Sequence, residues 1–254
     1  MIKAVVLDLN GCIFSHETKD IPASAVKAFH ELKAKGIKIL MATGRNYDMI
    51  KHLPLHGIKW DGYVFLGGHI CEDEDHNVLR ELVVENPEPL IKIFNEKKYS
   101  VTIVEKEDNY INFVNDQAKT ALAALSSPVP PVKEYTGKPI YHAVLYISEA
   151  EEKELAKELA GFQLFRWNDF GVNVVLEDVS KVKGTQLFLD RFGISADELM
   201  AFGDNNHDIE MLQFAKIGVA LGEGTDKVKA AADYVTTGID DDGVYNALKH
   251  YELI

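Results

Sequence analysis

The sequence predicts an α/β protein with a doubly wound parallel sheet and an α+β domain inserted into it. Short continuous apolar runs, each followed by a helical pattern, occupy both ends of the chain, as expected for parallel strands buried on both faces. Between these ends the strands are longer and alternate apolar with polar residues, which favours an antiparallel sheet with one covered face. Because the parallel pattern returns afterwards, both ends are expected to build one Rossmann-like core sheet.

The first part of the core contains three predicted strands, at residues 4–7, 37–41 and 62–66. A helix follows the first strand, because Pro22 favours a helix start and Gly36 a helix end. Another helix is predicted at residues 47–53. The alternation of strands and helices within so few residues predicts parallel pairing.

The inserted part and the second part of the core follow in order. In the insertion we predict strands at residues 101–104, 110–114, 141–147 and 172–176, and helices at 87–98, 116–125 and 149–160. In the second core part we predict strands at 199–203, 217–221 and 234–235. We predict helices at 183–192, from after residue 208 through residue 214, at 225–232 and at the chain end. The predicted boundaries are 1–77 and 183–254 for the core domain and 78–182 for the inserted domain.

Composition narrows the possible partners. The 254 residues carry a net charge of −13, which argues against nucleic acid and anionic membranes as partners. No apolar run approaches the roughly 20 residues of a membrane span, and no secretory signal pattern begins the chain, so we expect a cytoplasmic protein. Cys12 and Cys71 lack metal-ligand spacing, and no disulfide is expected. The sequence gives no oligomeric state.

Polar side chains stand at the ends of the predicted core strands or at helix starts, where ligands bind in open α/β sheets. They are Asp8, Thr43, Lys183, Asp204 and Asp208. Carboxylates from two strand ends can hold Mg²⁺, and one of them can act as a nucleophile toward phosphorus. A lysine and a hydroxyl at a helix start can bind phosphate. The competing interpretation is that Thr43 and Asp208 are turn or cap residues and Lys183 a surface lysine.

Four motifs occur in a fixed order: Asp8-x-Asn10-Gly11, Ala42-Thr43-Gly44-Arg45, Lys183-Gly184 and Gly203-Asp204-x-x-His207-Asp208. Their order and spacing resemble the haloacid dehalogenase superfamily. The long insertion is similar to the type IIB cap domain of the Cof-type sugar-phosphate phosphatases. The resemblance implies an Mg²⁺-dependent phosphoric monoester hydrolase acting on small phosphorylated metabolites, with sugar phosphates as the leading substrates.

The resemblance also implies roles for individual residues. Asp8 would be the nucleophile that forms an aspartyl-phosphate, and it would share Mg²⁺ with the backbone carbonyl of Asn10 and with Asp204. Asp208 would ligate or support the metal. Thr43, Gly44, Arg45, Lys183 and His207 would bind phosphate or substrate.

Four positions depart from the family pattern. Asn10 replaces the aspartate that protonates the leaving oxygen and then activates water, and an amide can do neither. Such acid–base catalysis contributes about 10²–10⁴-fold in rate. Cys12, His207 and Gly67-Gly68 also differ from the residues usual in the family. Three explanations compete: an engineered substitution at Asn10, a slow phosphatase in which water or another residue such as His207 protonates the leaving group, and a phosphometabolite-binding or regulatory module that kept the fold and lost turnover. A phosphotransferase or mutase is a further option.

The inserted domain carries one suggestive stretch, Arg166-Trp167-Asn168-Asp169. A cation, an aromatic face and an amide could hold a sugar. The alternative interpretation is a hairpin with Trp167 packed beneath it. The resemblance implies that this domain contacts the part of the substrate remote from the phosphate.

Overall fold

The computed structural model describes residues 1–124 and 127–254, and for residues 48 and 49 it describes the backbone alone. The strands are β1 (Ala4–Asp8), β2 (Lys38–Ala42), β3 (Gly62–Phe65), β4 (Ile70–Asp73), β5 (Val78–Glu81), β6 (Ser100–Val104), β7 (Asn109–Ile111), β8 (His142–Tyr146), β9 (Phe162–Arg166), β10 (Gly171–Leu176), β11 (Leu199–Gly203), β12 (Ile217–Ala220) and β13 (Tyr234–Val235). The helices are α1 (Ala23–Ala34), α2 (Tyr47–Ile50), α3 (Glu88–Glu96), α4 (Asp116–Ala124), α5 (Glu149–Leu155), α6 (Lys181–Phe192), α7 (Ile209–Phe214), α8 (Asp226–Ala231) and α9 (Gly243–His250).

The chain divides into two compact units, the first made of residues 1–81 and 180–254 and the second of residues 82–179. The first unit contains an eight-stranded sheet in the order β13-β12-β11-β1-β2-β3-β4-β5. Its strands from β13 to β3 pair in parallel, while β4 and β5 continue the sheet antiparallel. The fold class is therefore the predicted one, a doubly wound parallel sheet.

The parallel sheet reverses its direction of growth between β1 and β11. From β1 the chain adds β2 and β3 on one side, and from β11 it adds β12 and β13 on the other. Every residue of β1 and of β11 is buried, as expected for central strands covered by helices on both faces. The crevice at such a reversal, outside the carboxyl ends of the strands, is where ligands bind in this architecture.

The structure differs from the predicted boundaries at both junctions. Residues 78–81, assigned to the inserted domain, form β5 and pair with β4 in the core sheet. The charged residues Glu72 and Asp73 belong to β4 and are buried, because the hairpin turn supplies partners for both carboxylates. At the second junction α6 begins at Lys181, two residues before the predicted helix start.

The second unit has a five-stranded antiparallel sheet in the order β7-β6-β8-β10-β9. One apolar cluster includes Ile103, Leu145 and Val174 from the sheet and Ile93 and Phe94 from α3. The predicted helix at 116–125 is α4, which ends at Ala124, and position 125 lies outside the described residues. The strand β9 was not predicted, because it is short and the exposed Phe165 interrupts the alternation of apolar and polar residues that Phe162 and Leu164 begin.

No helix within residues 1–124 and 127–254 has the length and hydropathy needed to cross a membrane.

Candidate active site

Three carboxylates meet at the reversal point of the core sheet. Asp8 is the last residue of β1, and Asp204 directly follows β11, the strand that pairs with β1. Asp208 lies one short turn further along. One carboxylate oxygen from each of the three residues can be chosen so that all lie within 4.8 Å of one another. The sequence prediction that Asp8, Asp204 and Asp208 converge therefore agrees with the geometry.

Gly11 allows Asp204 to approach the turn that follows β1. It has a φ of +77°, and its N–H donates to Phe14 O at 3.1 Å. A Cβ atom at this position would lie 2.4 Å from Asp204 Oδ2. A side chain here would therefore have to displace a carboxylate of the site.

Asp208 is fixed by the turn that carries it. Its Oδ2 accepts from the backbone N–H groups of Asp204 at 3.2 Å and of Asn205 at 3.1 Å. The side chain of Asp208 is 1% exposed, so these bonds replace water as its partner. Asp208 thus has a structural role in the turn and also presents its other oxygen to the site.

Lys181 bridges two of the carboxylates. Its Nζ lies 2.5 Å from Asp8 Oδ1 and 2.7 Å from Asp208 Oδ1, and its side chain is 10% exposed. Burial opposes the charge on Lys181, but Asp208 and Asp8 together hold its pKa above the ordinary value. Lys181 is therefore a permanent cation inside the carboxylate cluster.

The structure corrects the predicted choice of lysine from Lys183 to Lys181. Lys183 is exposed, and its backbone N–H donates to Oγ of Ser180, the residue that caps α6. Two residues along an α-helix are rotated by about 200° around its axis, so Lys181 and Lys183 point to opposite sides. Serine is a preferred N-cap, and recognising Ser180 as the cap would have placed Lys181 first in the helix.

The electrostatics of the cluster oppose full ionisation of the carboxylates. Burial, partly offset by Lys181, raises the pKa of Asp8 to about 6. Burial and the nearby charges of Asp8 and Asp208 raise the pKa of Asp204 to about 8. Like charges in a low-dielectric site are costly, so the cluster gains stability from any added cation or proton.

The loop after β2 carries the second predicted group. Asp8 pairs with Ala42 in the β1–β2 ladder, so Thr43 follows at the same edge of the sheet as Asp8. Thr43 is fully buried, and its Oγ1 accepts from the Arg45 N–H at 3.1 Å. Burial lowers the pKa of Arg45, whereas the field of Asp8 raises it, which places the guanidinium within electrostatic range of the nucleophile candidate. Gly44 is exposed between them.

The positions that depart from the family pattern also lie around the cluster. Asn10 is partly buried, and its Oδ1 has no hydrogen-bond partner within the described residues. Cys12 is buried with Sγ 3.8 Å from Asp204 Oδ1. Burial and Lys181 lower the pKa of His207 to about 4, so this imidazole is neutral at pH 7. These departures change the hydrogen-bonding groups at positions 10, 12 and 207, while the carboxylates of Asp8, Asp204 and Asp208 are retained.

The donor set fits a hard divalent cation. Mg²⁺ prefers oxygen ligands, and Asp8, Asp204 and Asp208 offer carboxylate oxygens within reach of one another. The raised pKa of Asp204 and the buried, unpartnered Oδ1 of Asn10 both indicate a site that would be stabilised by a positive charge. A metal could be held here.

In the second unit, Arg166 is used internally. Its guanidinium donates to Glu152 Oε2 at 2.7 Å and to the backbone carbonyls of Ile147, Asn168 and Asp169. Trp167 Nε1 donates to Asn173 Oδ1, and the ring covers Gly171 closely enough that a Cβ atom there would lie 2.2 Å away. These contacts favour the packed-hairpin interpretation of residues 166–169.

Comparison with known proteins gives a consistent family. The sequence profile of the haloacid dehalogenase-like hydrolases matches residues 5–248. The chain is 29% identical to 5-amino-6-(5-phospho-D-ribitylamino)uracil phosphatase YitU of Bacillus subtilis, over 97% of this chain and 96% of that protein.

Solved structures agree over the full length of the chain. BT1666 from Bacteroides thetaiotaomicron, a phosphatase of the haloalkanoate enzyme superfamily, superposes with a TM-score of 0.89 at 31% identity, covering 100% of this chain and 96% of that one. The subclass IIB sugar phosphatase BT4131 superposes with a TM-score of 0.84 at 32% identity, covering 99% of this chain and 100% of that one.

Proposed function

The chain belongs to the haloacid dehalogenase-like hydrolases and is a phosphoric monoester hydrolase, and from that premise we propose that it hydrolyses small phosphorylated metabolites with Asp8 as the nucleophile. Sugar phosphates are the first substrates to test, because a structural relative is named as a sugar phosphatase. The observation that carries the proposal is the convergence of Asp8, Asp204, Asp208 and Lys181 at the reversal point of the sheet.

Asp8, Asp204 and Asp208, with the backbone carbonyl of Asn10, are the proposed Mg²⁺ ligands. When bound, the ion would neutralise charge on the transferring phosphoryl group. Lys181 contributes a fixed positive charge beside Asp8, which favours the ionised, nucleophilic form of that carboxylate. Thr43, Gly44 and Arg45 are proposed to bind the phosphoryl oxygens, and His207 to contact the substrate as a neutral imidazole.

The reaction has two displacements at phosphorus. In the first, a carboxylate oxygen of Asp8 attacks phosphorus, and the bond to the substrate oxygen breaks with its electron pair leaving on that oxygen. In the second, water attacks the aspartyl-phosphate, the bond to Asp8 breaks with its electron pair returning to the carboxylate, the proton of the attacking water passes to solvent water, and inorganic phosphate leaves. The Asn10 amide can donate a hydrogen bond but no proton, so we propose that water protonates the leaving oxygen.

The test is phosphate release with Mg²⁺ from a panel of sugar phosphates and a reactive aryl phosphate. The native protein, Asp8→Asn and Asn10→Asp are compared. We expect release by the native protein, none above background by Asp8→Asn, and a rate gain of up to about 10²–10⁴-fold in Asn10→Asp. Release by Asp8→Asn equal to that of the native protein would exclude Asp8 as the nucleophile.

Asn10 supports a second candidate, a phosphometabolite-binding or regulatory module. The same experiment distinguishes the hydrolase from the binding module. Turnover only in Asn10→Asp, with phosphate and Mg²⁺ still bound by the native protein, would favour the binding module. The names of YitU, BT1666 and BT4131 all give phosphatases and so favour the enzyme.

A further inference from the structure

The turn at Leu66–Gly68, directly after β3, has a backbone conformation that L-residues rarely adopt. Its three consecutive residues have φ values of 49°, 65° and 109°. Leu66 is a non-glycine residue in the left-handed region, and it is 2% exposed. Such conformations cost free energy and persist where the surrounding structure requires them. The residues that contact this turn show which parts of the structure depend on its conformation.

On one side the turn holds the loop that carries Thr43 and Arg45. The Leu66 N–H donates to Arg45 O at 3.0 Å, and the Gly67 N–H donates to Thr43 O at 2.9 Å. Both donors bind the same loop. The backbone of the proposed phosphate-binding loop is therefore fixed from β3 as well as from its own strand.

On its other side the turn contacts the start of α6. A Cβ atom on Gly68 would lie 2.3 Å from Ser180 O and 2.9 Å from Ser180 C, so the Ser180 peptide packs directly on the bare Gly68 Cα. Ser180 O in turn accepts from the Gly184 N–H at 3.0 Å. Lys181, which bridges Asp8 and Asp208, is the next residue along the chain.

We propose that the Leu66–Gly68 turn is a positioning element that sets the Thr43–Arg45 loop and Lys181 in one fixed relation to Asp8. The N–H groups of Leu66 and Gly67 fix the loop, and the missing side chain of Gly68 fixes how far Ser180 and Lys181 enter the site. The proposal rests on the proposed function for the chemistry of these groups and on the contacts above for their placement.

The first test is Gly68→Ala in the full chain. The added methyl meets backbone atoms of Ser180, so the start of α6 has to move. We expect kcat on an aryl phosphate to fall about 10- to 100-fold, because displacements of about 1 Å have effects of that size, while KM changes much less. Gly57→Ala is the matched control, since Gly57 has a φ of +68° and a Cβ atom there would meet nothing within 4 Å.

A second readout does not depend on turnover. In protein labelled with ¹⁵N-lysine, the buried ammonium of Lys181 is expected to give a protected NMR signal, assigned by its loss in Lys181→Met. The signal should shift or disappear in Gly68→Ala and remain in Gly57→Ala. An unchanged signal and native kcat in Gly68→Ala would overturn the proposal. Absence of turnover in every variant, with the signal change present, would instead count against the proposed function.

If Gly68→Ala does not fold, a substitution pair at Ser180 replaces it. Ser180→Ala removes the capping oxygen of α6 and loosens the peptide that Gly68 positions, whereas Ser180→Thr keeps the capping oxygen. We expect kcat to fall several-fold and the Lys181 signal to broaden in Ser180→Ala, with Ser180→Thr restoring both. Equal behaviour of the two variants would also overturn the proposal.

Discussion

The carboxylate of Asp204 lies close to those of Asp8 and Asp208. The protonation state of Asp204 therefore affects the free energy of unfolding. Its folded-state pKa of about 8 exceeds the ordinary value of 3.8. Between those values the folded chain binds more protons than the unfolded chain. The stability that the protonated group provides is complete below about pH 4 and is lost as the pH rises through 8.

We therefore predict that the metal-free protein loses stability between pH 5 and pH 8.5 through this site. Asp204→Asn should remove much of that loss and raise the free energy of unfolding at pH 8.5 by about 1 to 3 kcal/mol, since each pKa unit corresponds to about 1.4 kcal/mol. Thermal unfolding in a chelating buffer at both pH values measures it. Glu210→Gln, on the exposed surface, is the control, and equal pH slopes for Asp204→Asn and the native chain would contradict the prediction.

At this scale the sequence predicted the carboxylates better than the lysine. Asp8, Asp204 and Asp208 follow buried strands, and parallel strand ends meet at one edge of a sheet whatever the details of the loops. The lysine depended on which residue begins α6, and an error of two positions reverses the side of the helix. Lys183 satisfied the motif spacing, but only the phase of the helix selects Lys181.

Both lysines lie on helix α6, so their roles can be compared by substituting each of them in turn. Lys181→Met leaves Asp8 and Asp208 without their shared ammonium, whereas Lys183→Met changes an exposed position on the same helix. We expect kcat to fall about 10²–10³-fold in Lys181→Met, as when a charge-stabilising donor is removed, and to stay within about twofold in Lys183→Met. Phosphate release under saturating Mg²⁺ measures both, with circular dichroism to confirm folding.

The opposite ranking of the two variants would return Lys183 to the site and contradict the helix phase described here. A large loss in both would indicate that the start of α6, rather than one side chain, is what the reaction requires.

The β4–β5 hairpin explains why the predicted end of the first core segment, residue 77, was too early. By charge patterning alone, the four consecutive charged residues at 72–75 are typical of a solvated segment. In the structure Asp73 Oδ1 accepts from the N–H groups of Asp75 at 3.0 Å and of Asn77 at 2.9 Å, and Glu72 contacts His76 Nδ1. Local partners inside one hairpin thus let acidic residues occupy a buried strand, which charge patterning alone does not reveal.

For the whole molecule, the two units have separate cores, and this predicts where a bound metal should act. The first unit contains the core sheet with Asp8, Asp204 and Asp208, and the second has its own cluster around Ile103, Leu145 and Phe94. Amide hydrogen exchange measures the local and sub-global opening of each cooperative unit separately. Binding to the folded form stabilises only the openings that disrupt the binding site.

We predict that Mg²⁺ slows amide hydrogen exchange in peptides from residues 1–81 and 180–254, most strongly around Asp8 and Asp204–Asp208. Peptides from residues 82–124 and 127–179 should exchange at unchanged rates. At a Mg²⁺ concentration 100 times the dissociation constant, the gain is about 2.7 kcal/mol, or about 100-fold in protection of amides that exchange through opening of the site. Hydrogen exchange with mass spectrometry measures it, with Asp204→Asn as the control that should show no change. Equal protection of both units would mean that they open together, and protection confined to the second unit would place the metal elsewhere.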